Sequence, residues 1–231
     1  MSICDNCFTN HKCIKYSKGT RLDCAFCIKQ FKLSSLYDLA LISEKQRRHT
    51  DLHIDADGTD REAFVQLKAI ENNINSFIQS GQNLYLYSVN CGNGKTSWAL
   101  RFAQSYMNSI WYSSVIDCKV LFINVPKFFL MLKDNISHTN EYIAHIKKYV
   151  VDCDLVIWDD IGTKVGTEFE IENMLNIINN RIDNGKSNIY TSNMAPQELQ
   201  SRVGERLYSR VVNLSTKIEL RGVDKRGVAA K

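Results

Sequence analysis

Leu84-Tyr85-Leu86-Tyr87-Ser88-Val89-Asn90-Cys91-Gly92-Asn93-Gly94-Lys95-Thr96-Ser97 is the stretch on which the fold of this 231-residue chain turns. An apolar, aromatic run of strand character enters a Gly-rich turn, and Gly94-Lys95-Thr96 opens a helix over Trp98-Ala99-Leu100-Arg101-Phe102-Ala103. Strand, loop and helix in that order are the context of a phosphate-binding loop. Gly92 and Gly94 allow the backbone to curl until its N–H groups converge on phosphate oxygens. The helix start adds N–H groups and the positive end of its dipole. Lys95 would reach β- and γ-phosphates, and the Thr96 hydroxyl would ligate Mg²⁺. Asn90, Cys91, Asn93 and Ser97 fill out the nucleotide-contacting set. The pattern G-x-x-x-x-G-K-[ST] puts its first glycine at position 89, where this chain has Val89. A β-branched residue avoids positive φ, so the turn is expected to be entered through an extended residue. A chance glycine turn before a helix is the competing explanation, and the flanking strand and helix favour nucleotide binding.

Working outward, strand-like and helix-like segments alternate. Lys119–Asn124, Asp154–Asp159, Asn188–Ser192 and Lys217–Leu220 read as further strands, the first of them stopped by Pro126. Thr59-Asp60-Arg61-Glu62 reads as a capping box that starts an amphipathic helix through Phe64, Leu67, Ile70, Ile74 and Phe77 or Ile78 to Gly81. Thr167 and Glu170 cap a second helix carrying Phe169, Met174, Ile178 and Ile182, closed by Asn184-Gly185. Such alternation predicts an α/β fold: a parallel five-stranded P-loop sheet with flanking helices. Chemistry then sits at the carboxyl ends of the strands.

Length and composition set the outer limits. The chain can bury one sizeable core and a small appended module, and at 44% apolar and 23% charged it has an ordinary globular make-up. No apolar run approaches the roughly 20 residues of a membrane span, and the N-terminus lacks a signal-peptide core, so a cytoplasmic location is expected. The net charge of +4 permits nucleic-acid contact without arguing for it.

Five of the eight cysteines lie in the first 27 residues. Cys4-Asp5-Asn6-Cys7 and Cys24-Ala25-Phe26-Cys27 form two C-x-x-C pairs sixteen residues apart. This is the spacing of a tetrahedral zinc site in which each pair presents two thiolates. Disulfides are the alternative, and a reducing compartment disfavours them. A ligand swap by His11 or Cys13 stays open. Four thiolates fill the Zn²⁺ shell, so the predicted role is structural. Residues 1–50 are therefore assigned to a zinc module and linker and 51–231 to the nucleotide-binding domain. Ile28–Leu41 would be a helix leading out of the module, and Glu44–Arg48 a charge run that is either a solvated face or a contact surface. Cys91, Cys118 and Cys153 read as isolated small core residues.

Asp159-Asp160 ends the third apolar strand, 64 residues after Lys95. The first carboxylate can hold the Mg²⁺ shell and the second can polarise an attacking water. Asn193, just past Tyr190-Thr191-Ser192, could hydrogen-bond the γ-phosphate or that water, although a strand-ending Ser-Asn is also ordinary turn chemistry. Gly204-Glu205-Arg206-Leu207-Tyr208-Ser209-Arg210 reads as a short helix with arginines at i and i+4. An arginine there can reach a neighbouring subunit's phosphates or simply be solvated. Arg226 is a further cation with the same ambiguity.

Ser88–Thr96, Asp159-Asp160-Ile161-Gly162, Thr191-Ser192-Asn193 and Gly204–Arg210 together resemble the replicative helicase loaders of the DnaC/DnaI type, AAA+ ATPases in the clade of IstB and DnaA. The resemblance spans roughly residues 60–227, and a zinc-bearing front end resembles the DnaI branch. It implies that Lys95 and Thr96 contact nucleotide and Mg²⁺ and that Asp159 and Asp160 are the Walker B pair. It also implies that Asn193 is sensor 1, Arg210 a trans-acting finger and Arg226 a candidate sensor 2. The function implied is ATP-dependent loading of a hexameric replicative helicase onto single-stranded DNA by an oligomer, with the N-terminal module gripping the helicase. A nucleotide-binding adaptor without turnover and an IstB-like transposition helper are the alternatives. Besides Val89, Asp160 departs from the family by replacing a usual Glu, and the short stretch after the fifth strand leaves no room for a helical lid.

Overall fold

Leu84 and Leu86 point to one side of a β-sheet and Tyr85 to the other, and this two-residue alternation sorts the whole interior into two layers. The computed structural model describes residues 25–48, 52, 58–137 and 140–224, and the side chains of all of these except 25–27 and 135–137. Five parallel strands are present among them: β1 (Asn83–Tyr87), β2 (Val120–Asn124), β3 (Leu155–Asp159), β4 (Ser187–Ser192) and β5 (Thr216–Glu219). Their spatial order is β2-β3-β4-β1-β5. Every predicted strand is found within a residue or two of its expected bounds.

One layer places Leu84, Leu86, Val120, Phe122, Leu155, Ile157, Ile189 and Ile218 against four helices. These are α1 (Ala25–Leu39), α3 (Arg61–Asn72), α4 (Ile74–Gln79) and α5 (Lys95–Ile110), with α2 (Glu44–Arg47) a single turn after α1. The other layer places Tyr85, Leu121, Ile123, Val156, Trp158 and Tyr190 against α6 (Val125–Ser137), α7 (Glu141–Tyr149), α8 (Glu168–Asp183) and α9 (Pro196–Tyr208). Helices on both faces are what parallel strands require, because each crossover must return over the sheet.

The helix expected as a connector, α1, contributes Leu33 and Leu36 to the core, and Ala40 and Ile42 follow it inside. Phe122 N–H donates to Ala40 O at 2.9 Å, so the chain after α1 covers the β2 edge. The Thr59 reading needs correction. The first helical turn is capped at Asp60, with no side-chain capping bond, and the helix breaks at Asn73 into α3 and α4. The Asp60 carboxylate is engaged elsewhere, as described below. Thr167 does form the expected capping box with Glu170, whereas Phe169 is turned outward, about half exposed. Cys118 and Cys153 are buried as expected, but Cys91 is exposed because it lies on the loop and not in the core.

At the amino ends of the strands the sheet is tied by a buried polar knot around Arg181, a fully buried side chain on α8. Its guanidinium donates to Val150 O at 2.6 Å, Cys153 O at 3.0 Å, Ser187 O at 2.6 Å and Asn188 Oδ1 at 2.7 Å. Asn188 in turn donates to Asn83 Oδ1 at 3.0 Å and accepts from Trp158 Nε1 at 3.2 Å. The planar fork satisfies four acceptors at once, a task the single ammonium of lysine cannot perform. This end of the sheet is structural, and the opposite end carries Thr96 and Asp159.

Candidate nucleotide-binding site

Because β4 lies between β3 and β1, the carboxyl end of β4 separates the loop that follows β1 from the last residue of β3. The loop begins with Ser88, whose N–H donates to Ser192 O at 3.1 Å. Gly92 and Gly94 have φ of +72° and +101°, the left-handed region that makes glycine necessary here. Non-glycine residues with positive φ among those described are Leu41 and Asp160, so Val89 enters the turn at negative φ with its side chain exposed. Gly94 is the N-cap of α5 and offers no side chain to it, so the first-turn N–H groups of Thr96 and Ser97 have no intrahelical acceptor.

Lys95 is buried and turned back into the loop, donating to Asn90 O at 2.9 Å and Asn93 Oδ1 at 3.2 Å. Asn93 also donates to Ser88 Oγ and, at 3.1 Å, to Leu220 O. An ammonium ringed by carbonyl oxygens inside a backbone curl is suited to exchange those partners for phosphate oxygens.

Thr96 Oγ1 donates to Asp159 Oδ1 at 2.9 Å, across 63 residues of chain. Thr191 Oγ1 donates to the same oxygen at 2.7 Å and accepts from Asp160 N–H at 3.0 Å. Burial pushes the Asp159 carboxyl above the ordinary aspartate range, the neighbouring Asp160 charge adds to the rise, and hydrogen bonds from Thr191, Thr96 and Asn124 oppose it. A buried carboxylate beside a threonine hydroxyl at the mouth of a phosphate curl is the donor set that fits Mg²⁺. The residues present therefore fit a magnesium nucleotide.

Asp160 has φ of +61°, a left-handed conformation that aspartate tolerates better than most residues. It is fixed by its own N–H on Thr191 Oγ1 and by Ile161 N–H on Thr191 O at 2.9 Å. Asn193 directly follows the buried Ser192 at the end of β4 and is partly exposed. Lys95, Thr96 and Asp159 are thus brought to one end of the sheet, where Asp160 follows β3 and Asn193 follows β4.

The arginines occupy a different place. Gly204 kinks α9 with φ of +79°, and a π-helical turn, Ser209–Asn213, follows. Arg206 and Arg210 share a groove of 390 Å³ with Leu175, Asn179, Glu205 and Ser209. Their common face matches the expected i, i+4 relation, and Arg206 is also paired with Glu172 at 3.1 Å. Arg226 lies outside the described residues, as do Cys4, Cys7, Cys24, His11 and Cys13 and the side chain of Cys27. Among the described residues no group of three or more His, Cys, Asp or Glu is arranged to hold a metal ion.

Two participants escaped the sequence reading. Thr191 was seen as part of a strand ending, yet its hydroxyl is the hinge between Asp159 and Asp160. The capping-box reading of Thr59 gives Asp60 no part of its own, yet its carboxylate accepts Arg221 N–H at 2.6 Å and Gly222 N–H at 2.9 Å.

The family model of the bacterial DnaA ATPase domain matches residues 59–216. The chain belongs to that family. Within this DnaA-type ATPase domain, the chain is 27% identical over 172 residues to the chromosomal replication initiator protein DnaA of Mycoplasma capricolum subsp. capricolum. That match covers 74% of this chain and spans 36% of the relative's length. The crystal structure of the DnaC helicase loader shares the fold with a TM-score of 0.63 at 19% identity, over 78% of this chain and 100% of that one. AMPPCP-bound DnaA from Aquifex aeolicus does so with a TM-score of 0.54 at 21% identity, over 71% of this chain and 46% of that one. The five-stranded parallel sheet is that of the AAA+ ATPases.

Proposed function

We propose that this chain is an ATP-dependent loader of the replicative helicase onto single-stranded DNA, turning over ATP at a site completed between subunits. The observation that carries the reading is the bond from Thr96 Oγ1 to Asp159 Oδ1 at 2.9 Å, which unites the loop and the acidic strand end. The likeness to the DnaC helicase loader over that protein's whole chain supports the choice of loader.

The roles follow the chemistry of each group. The curl at Gly92 and Gly94 presents backbone N–H groups to the phosphates, and Lys95 neutralises the β- and γ-oxygens. Thr96 and Asp159 would hold Mg²⁺, which when bound neutralises charge developing on those phosphates. Asp160 orients and polarises the attacking water, and Asn193 contacts it or the γ-phosphate. Arg210, exposed on its π-helical turn, would serve the nucleotide of an adjacent protomer, and Arg226 would close on it from its own chain. The N-terminal residues through Cys27, in the first turn of α1, with Zn²⁺ on Cys4, Cys7, Cys24 and Cys27, would grip the hexameric helicase. A site divided between protomers explains why a lone chain should turn over little ATP.

A second reading, an adaptor that binds ATP as a signal without turnover, is favoured by one feature. Asp160 is a methylene shorter than the usual glutamate and is fixed in a left-handed backbone by two bonds to Thr191. Co-purification with the replicative helicase, followed by ATP turnover of the complex with single-stranded DNA, separates the readings. The loader predicts stimulated turnover that Lys95→Ala abolishes. Turnover that stays absent in the assembled complex leaves only the adaptor.

A further inference from the structure

We propose that the extended strap Leu220–Asp224 is an internal competitor for the phosphate-binding loop, with the Asp224 carboxylate lying against Gly92 on the path of the incoming phosphates. The inference rests on the nucleotide reading of the Lys95 loop. A Cβ placed on Gly92 would fall 1.7 Å from Asp224 Oδ1, 2.2 Å from its Cγ and 2.7 Å from Oδ2. The whole carboxylate therefore abuts the backbone at the tip of the curl, a contact that any side chain at position 92 would prevent.

The strap is held from two sides. From the loop, Asn90 Nδ2 donates to Arg221 O at 3.0 Å and Gly222 O at 3.3 Å, and Asn93 Nδ2 donates to Leu220 O at 3.1 Å. From α3, the Asp60 carboxylate accepts the N–H groups of Arg221 and Gly222. Upstream, Leu220 N–H extends the sheet onto Tyr87 O at 2.8 Å. Leu220 to Gly222 are thus pinned, and Asp224 hangs from their end over the loop.

A carboxylate is attracted to this place by the same features that attract phosphate, a helix N-terminus and a lysine. Two anions cannot share it without strong repulsion. Phosphate entry must therefore lift Asp224, with Val223 as the pivot, while Asp60 keeps the base of the strap in register. The apparent affinity for nucleotide is then the intrinsic one reduced by the fraction of molecules whose strap is lifted.

Titration calorimetry of the full chain with MgATP and, separately, with inorganic pyrophosphate tests this. Asp224→Asn, which keeps the shape and removes the charge, and Asp224→Ala, which removes both, should bind both ligands more tightly. The gain is about tenfold if the strap is down nine-tenths of the time. Equal or weaker binding by both variants, with the unaltered chain binding MgATP, overturns the proposal and leaves the nucleotide site standing. If neither the unaltered chain nor either variant binds MgATP, the nucleotide reading itself fails and takes the strap with it. Should Asp224→Ala not fold, Asp224→Asn alone decides.

Discussion

Thr191 Oγ1 donates to Asp159 Oδ1 at 2.7 Å while accepting the Asp160 N–H at 3.0 Å, so one hydroxyl on β4 fixes both carboxylate residues at the end of β3. Thr191→Val keeps the volume and deletes both bonds. The Asp159 carboxyl loses one of the bonds that hold its proton affinity down, and the Asp160 N–H loses its partner. On the proposed function, turnover in complex with the helicase should fall about tenfold or more, with stability lowered by about 1–2 kcal/mol. Thr191→Ser should retain most of both. Steady-state turnover alongside thermal melting checks this, and unchanged turnover in the valine variant would remove Thr191 from the site.

Lys95 and Thr96 are separable in experiment. Lys95→Ala removes the cation facing the curl and should weaken MgATP binding by at least an order of magnitude. Thr96→Ala should leave metal-free ATP binding nearly intact and abolish the tightening that Mg²⁺ brings. Binding titrations with and without Mg²⁺ distinguish the two, and equal losses in both conditions for Thr96→Ala would contradict its assignment to the metal.

Arg181 offers a test of the fold independent of function. Arg181→Met takes the guanidinium donor from three buried carbonyls and leaves Asn188 Oδ1 with Trp158 Nε1 alone. The expected destabilisation is about 3 kcal/mol or more, at roughly 1–3 kcal/mol for each buried carbonyl left without its donor, read by denaturant unfolding. Arg181→Lys should recover little of it. A melting curve close to that of the unaltered chain would mean that water satisfies these carbonyls without cost.

Glu71 governs part of the acid sensitivity. Burial would raise its pKa, yet bonds from Lys68 at 2.8 Å and Arg101 at 2.6 Å outweigh that and hold the carboxyl below its ordinary value of 4.5. A depressed carboxylate pKa contributes stability that is present at neutral pH and lost as pH falls through the folded-state value. Glu71→Gln should therefore cost about 1 kcal/mol at pH 7, and the gap to the unaltered chain should close below pH 4.5. Unfolding curves at several pH values check the sign, and a gap that widens on acidification would reverse it.

Much of the architecture was legible because its causes are local. Gly92, Gly94, Lys95 and Thr96 lie within five consecutive residues, so a left-handed curl opening a helix follows from which residues tolerate positive φ. The strands announced themselves because parallel strands buried on both faces must be apolar along their length. Thr167 and Glu170 closed their capping box for the same reason: every partner is within one turn.

What the chain order could not disclose is which distant segments meet. That β4 lies between β3 and β1 depends on the order in which crossovers pack, and it makes Thr191 a neighbour of the acidic pair. The local capping rule pointed to Thr59 and gave Asp60 no part, yet Asp60 is a clamp on residues 221 and 222 because folding delivers two N–H groups to it from 161 and 162 residues away. Asp224 reaches Gly92 in the same way. Sequence thus settled the elements and the loop's chemistry through short-range sterics and patterning, whereas long-range packing alone decided which side chains converge on that loop.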